Sequence, residues 1–76
     1  MNEITLNLHG LKCPLPALRT RKALKQAQPG AAFVVICNDP MAAIDIPNLL
    51  RETGDRLDSQ AQDGEVLIFR ITKQAT

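Results

Sequence analysis

The sequence has no tryptophan and no tyrosine, and its two phenylalanines, Phe33 and Phe69, both sit inside apolar runs. Surfaces that read single-stranded nucleic acid stack bases on exposed aromatic faces, so no direct nucleic-acid partner is expected. Charge of one sign is also lacking. Nine Lys and Arg against eight Asp and Glu leave a formal net charge of +1, which gives no general pull toward nucleic acid or an acidic membrane. An electrostatic partner must therefore read a local patch. No apolar run approaches the roughly 20 residues that cross a bilayer, and "MNEITLNLHG" lacks the basic start and apolar core of a signal peptide. These absences predict a cytoplasmic protein with no membrane partner.

Cysteine is scarce as well, with only Cys13 and Cys37. Structural disulfides are rare in a reducing compartment, so two free thiols are expected. Thioredoxin-type redox chemistry needs Cys-x-x-Cys, and position 16 is proline. His9, Cys13 and Cys37 would make a thin ligand set, and His9 reads as a turn residue; no metal and no cofactor are expected. No glycine-rich phosphate loop, Ser/His/Asp set or paired-carboxylate motif is present.

What remains is a strongly patterned chain of 76 residues, enough for one small domain spanning 1–76. "ITLNL" alternates with period two, a half-buried strand ended by His9-Gly10. From Pro16 to Gln28 most residues are good helix formers, and Pro29-Gly30 stops them. "AFVVIC" is a continuous apolar and β-branched run, the pattern of a covered central strand, broken by Asn38-Asp39-Pro40. Ile46, Leu49, Leu50 and Thr53 follow at helical spacing with Gly54 as C-cap. Because Pro47 disfavours helical geometry at Ile46, a loose turn over 40–44 and a regular helix capped by Asp45 are expected. "RLDSQAQ" is polar enough for an edge strand, Asp63-Gly64 signals a two-residue hairpin, and "EVLIFRITK" is a long apolar strand. The order β-α-β-α-β-β with right-handed crossovers predicts a two-layer α/β (α+β) sandwich: a four-stranded mixed sheet with both helices on one face.

Chemistry concentrates at "LHGLKCPLPALRTRK", residues 8 to 22. Cys13 lies between a glycine-bearing turn and the start of the first helix. It could be a buried filler, half of a disulfide, a metal ligand or a reactive thiol. Helix N-termini present unpaired N–H groups and partial positive charge, which lower a thiol pKa. Lys12 beside it, with Arg21 and Lys22 about two turns on, would act in the same direction. Pro14 and Pro16 are tolerated in a first helical turn and stiffen the lead-in. Cys37, ending "FVVIC", reads as core.

These residues carry a resemblance. "GLKCPLPALRTRKAL", then "QPG", "NDP", "DIP" and "FRITK", in that order from about Leu8 to Lys73, resemble the TusA/SirA-like family of small sulfur-carrier (sulfurtransferase) proteins. The resemblance implies the same β-α-β-α-β-β sandwich. It implies a sulfurtransferase-type carrier in which Cys13, in the Cys-Pro-x-Pro (CPxP) box, accepts sulfane sulfur as a persulfide. The donor would be a cysteine desulfurase or another persulfide donor, and the sulfur would pass to the thiol of a downstream sulfur-relay acceptor protein. The pathway would be tRNA thiolation, sulfur oxidation or cofactor synthesis. Pro14 and Pro16 would frame the thiol, and Arg21 and Asp39 match charged positions implicated in partner docking. Asp39 also reads as a turn or cap residue before Pro40, and Asp45 as a helix cap or a docking residue. Leu15 stands where some members carry glutamate, and Asp55 where some carry histidine. Both departures bear on partner choice.

On a helical wheel, Ala17, Thr20, Ala23, Leu24 and Ala27 share one arc, expected to face the sheet. Arg21, Lys22, Lys25 and Gln26 oppose it, and Leu18 falls among them. Leu18 and Arg21, one turn apart and near Cys13, are the expected partner contacts; an ordinary exposed leucine is the plainer reading of Leu18. Competing functions are a non-catalytic interaction or RNA-binding module, and a thiol redox or metal-binding protein.

Overall fold

The computed structural model describes residues 3–74; the outermost positions of the expected 1–76 domain lie outside them. The elements are β1 (Glu3–Asn7), α1 (Leu15–Gln26), β2 (Ala32–Cys37), α2 (Ala42–Thr53), β3 (Arg56–Asp63) and β4 (Val66–Thr72). The sheet order is β1-β2-β4-β3. β1 runs parallel to β2, with Leu6 opposite Val35, while β4 is antiparallel to both β2 and β3. The β-α-β-α-β-β order expected from the sequence is the order observed.

Strand alternation decides which face is covered. Phe33, Val35 and Cys37 of β2 and Leu67, Phe69 and Ile71 of β4 are paired in register and are all buried. They form one cluster with Leu24 of α1 and with Ala42, Ile46 and Leu50 of α2. Both helices therefore lie against the same sheet face. Burying side chains of this size contributes about 1.5–3 kcal/mol each. On the opposite face Arg70 reaches across the β2 strand to pair with Glu3 at 3.1 Å. β3 is the polar edge strand anticipated, with a register shift between Leu57 and Ser59 that leaves Asp58 unpaired in the ladder.

Three boundaries differ from expectation. α1 ends at Gln26 because Ala27 is already extended, two residues ahead of Pro29. The hairpin pairs Asp63 with Val66, so its central residues are Gly64 and Glu65, one position beyond Asp63-Gly64. α2 starts at Ala42, not near Asp45. Ala42 and Ala43 N–H groups donate to Asp39 and Pro40 carbonyls at 2.9 and 3.2 Å, so the helix is nucleated from the Asn38-Asp39-Pro40 break. Pro47, inside the helix, costs it one N–H donor without ending it. Gly54 closes α2 at φ +82°, its N–H on the Leu50 carbonyl at 2.9 Å.

Candidate functional site

Cys13 is carried on the loop between β1 and α1, which is tied down at both ends. Gly10 N–H donates to Asn38 Oδ1 at 2.8 Å, and Cys13 N–H donates to Asp39 Oδ2. The other Asp39 oxygen accepts from Met41 N–H at 3.2 Å. One carboxylate thus holds the cysteine loop and the start of α2 together. Asp39 is only 7% exposed. Its carboxylate is turned inward onto backbone N–H groups, the turn geometry read beside the docking role for this residue.

A turn follows, with Leu15 N–H donating to Lys12 O at 2.8 Å, and the Cys13–Pro14 peptide is cis. Pro14 occupies the N-cap position of α1 and Pro16 is buried at its start. Thr20, fully buried on the next turn, donates its hydroxyl to the Pro16 carbonyl at 2.8 Å. Pro14 and Pro16 thus flank the first residue of α1, Leu15.

The thiol itself is exposed. Cys13 Sγ donates to Asp45 Oδ2 at 2.9 Å. This hydrogen bond, partial desolvation and the negative charges of Asp45 and Asp39 push the Cys13 pKa up. This direction runs against the thiolate expected at the helix start. Pro14 and Pro16 have no N–H to offer and that of Leu15 is committed to Lys12, so the donors that would lower a thiol pKa are depleted. Lys12, the neighbouring cation, lines a separate groove with Asn38, Pro40 and Glu65. Cys37 is fully buried, and burial leads the causes that push its thiol pKa up. The core reading of that residue fits its place opposite Leu67.

The exposed thiol opens onto a groove of about 450 Å³ between α1 and α2. Cys13, Pro14, Leu18 and Arg21 line it from one side; Asp45, Asn48 and Glu52 line it from the other. The structure therefore brings Leu18 and Arg21 to the cysteine, and Leu18 is 53% exposed. Arg21 is not free, since its guanidinium donates to Glu52 Oε2 at 2.6 Å across the groove. Asp45 does not cap α2; it lies in the first turn and faces the thiol.

Asn48 and Glu52 were not singled out from the sequence. Their signal was the spacing 45, 48, 52, one helical stripe on the side of α2 away from the buried Ile46 and Leu50. Asp55, the second departure from the family pattern, is remote from this groove. Its Oδ1 accepts from Gln74 N–H at 3.0 Å, and among the described residues its buried Oδ2 has no partner.

Comparison with known proteins identifies the family and the fold. The profile described as "Sulfurtransferase TusA" matches residues 4–73. A protein of Neisseria meningitidis serogroup A with the description "Putative sulfur carrier protein" is 48% identical over 75 residues, covering 97% of each chain. The sulfur carrier protein TusA of Allochromatium vinosum is 35% identical over 68 residues, covering 90% of each. The crystal structure of a SirA-like protein from Desulfitobacterium hafniense superimposes with a TM-score of 0.79 over 95% of this chain and 99% of that one. At 22% identity that likeness speaks for the fold. A match running from β1 to just past β4, and so containing the whole groove, shows that the chain belongs to the TusA sulfurtransferase family.

Proposed function

We propose that the protein is a sulfur carrier that takes sulfane sulfur onto Cys13 as a persulfide and hands it to the thiol of an acceptor protein. The observation that carries this reading is the contrast between the two thiols: Cys13 is exposed on an open groove, and Cys37 is sealed in the core. A carrier needs its sulfur within reach of two successive partners. An accessible groove meets that need; an enclosed pocket would defeat it.

Transfer is written as Cys13–SH + R–S–SH → Cys13–S–SH + R–SH. The Cys13 thiolate attacks the outer sulfur of the donor, a bond forms at Sγ as the donor S–S bond breaks, and the donor leaves as a thiolate. The Cys13 proton goes to water and the leaving thiolate recovers one, so no oxidant or reductant is consumed. Delivery is the same step with Cys13 as donor. The donor is a cysteine desulfurase or another persulfide-bearing protein of the cytoplasm. The acceptor is a relay protein serving tRNA thiolation or another sulfur-trafficking route.

The test is intact mass after incubation with a cysteine desulfurase and cysteine. The wild type gains about one sulfur mass, removed by reductant. Cys13→Ser gains none, and Cys37→Ser still gains one. Labelling that follows Cys37, or survives Cys13→Ser, overturns the proposal.

A further inference from the structure

Asp45 has no evident task in a carrier that needs only a thiolate. A carboxylate beside a nucleophilic thiol opposes its ionisation. Nor does Asp45 cap its helix, and among the described residues it enters no ion pair. Among the described residues, its carboxylate has one hydrogen bond, accepted from Cys13 Sγ.

Acting as a general base would not justify it. A carboxylate is a much weaker base than a thiolate, so moving the proton to it is uphill. The arrangement instead favours keeping the proton on sulfur. The charged groups around the thiol can be named from each side. The β2–α2 loop and α2 contribute Asp39, Asp45 and Glu52, α1 contributes Arg21, and the cysteine's own loop contributes Lys12, which lines a separate groove. Arg21 is already held by Glu52, and Asp39 is occupied by two backbone N–H groups. Asp45 is therefore the carboxylate of the groove whose charge is left for something outside the chain.

From this we infer that Asp45 is a positioning residue that latches the Cys13 thiol in its protonated form, and that a partner protein opens the latch by placing a cationic side chain on the Asp45 carboxylate. The proposal rests on the sulfur-carrier reading and adds the chemistry of the partner segment: a cysteine flanked by arginine or lysine. Charge complementarity selects that occupant. A cation in the groove pairs with Asp45, removes the acceptor that holds the thiol proton and offsets the charge that opposes the thiolate. An acidic segment would add to the repulsion. Away from a partner the thiol stays protonated, which also slows its oxidation and unwanted disulfide exchange.

Two measurements test this, and the first needs no partner. Asp45→Asn keeps the shape and an oxygen acceptor but removes the charge. The pH profile of Cys13 alkylation by iodoacetamide, followed on the Cys13 peptide by mass, should shift to lower pH. The rate at pH 7.5 should rise about threefold or more, as thiolate fraction grows faster than intrinsic nucleophilicity falls. Asp45→Ser, which also discards the carboxylate, should shift it in the same direction.

The second measurement uses two short synthetic peptides, Arg-Cys-Arg and Glu-Cys-Glu, each with its cysteine as a persulfide. The wild type should take sulfur from the arginine peptide about tenfold faster, a preference worth about 1.4 kcal/mol. Asp45→Asn should reduce that preference to within about twofold, and added salt should erode the wild-type preference. An unchanged alkylation profile in both variants overturns the latch. A peptide preference that is absent, or that survives Asp45→Asn, overturns the cationic partner. If the wild type takes sulfur from neither peptide while the desulfurase still labels Cys13, the cationic partner falls and the sulfur-carrier reading stands; if the desulfurase does not label Cys13 either, the carrier reading falls with it.

Discussion

Cys13 Sγ and Asp45 Oδ2 lie 2.9 Å apart although 32 positions separate them in the chain. The first comes from a loop leaving an edge strand, the second from the first turn of α2. Asp39 makes the meeting possible, because its carboxylate accepts N–H groups from both the cysteine loop and the start of α2.

The raised Cys13 pKa has a measurable sign. The alkylation midpoint of wild-type Cys13 should lie above the ordinary thiol value of about 8.5. A folded-state pKa above the unfolded one favours the folded protein while the thiol is protonated. That contribution is complete below the unfolded pKa and is lost as pH rises through the folded value. The alkaline limb of the stability profile should therefore be shallower in Cys13→Ser than in wild type, read by thermal unfolding between pH 7 and 10. A midpoint at or below that of free cysteine contradicts this account.

Asp39 carries more of the site's stability than its exposed neighbours do. Asp39→Ala leaves two backbone N–H groups without their acceptor and should cost about 2 kcal/mol. It should also detach the cysteine loop from α2. Denaturant unfolding checks the first effect, and faster hydrogen exchange at the amides of Cys13 and Met41 checks the second.

Leu18 and Arg21 should behave oppositely to Asp39. Leu18 is exposed, and the Arg21–Glu52 pair is solvent-accessible, so Leu18→Glu and Arg21→Ala should each change stability by no more than about 1 kcal/mol. Each should slow protein-to-protein sulfur transfer about tenfold if the groove is the docking surface. Uptake from a small persulfide such as glutathione persulfide should be little changed. Equal loss with both donors would mean that these residues do not act through docking.

Gly54 offers a test of the fold alone. At φ +82° with open space around the missing Cβ, Gly54→Ala meets no clash but suffers the left-handed backbone penalty. The expected cost is about 1 kcal/mol, or a Tm lower by roughly 4–8 °C, with the Cys13 alkylation profile unchanged.

Much of this was legible in the residue pattern. Period two in "ITLNL", the apolar run "AFVVIC" and the alternation of Leu67, Phe69 and Ile71 define strands, because burial on one face imposes those periods. A stop of α1 ahead of Pro29-Gly30, though not its position at Gln26, and the cap at Gly54 follow from proline and glycine chemistry. Cys13 stood out for its Cys-Pro-x-Pro setting, and Leu18 for its place on a basic arc.

The sign of the thiol pKa was not legible, because it depends on a carboxylate supplied from 32 positions away. Locally, Pro14 and Pro16 are ordinary residues of a helix start, but in the folded chain they leave out donors a thiolate would use. Asp45 read locally as a cap, since Pro47 suggested a late helix start. In the folded chain α2 begins earlier, at Ala42, which rotates Asp45 off the cap and onto the thiol. Local propensity and periodicity, which act over a few residues, fixed the elements and marked the cysteine. The packing of α2 beside α1 on one sheet face, a long-range event, decided which charges that cysteine meets.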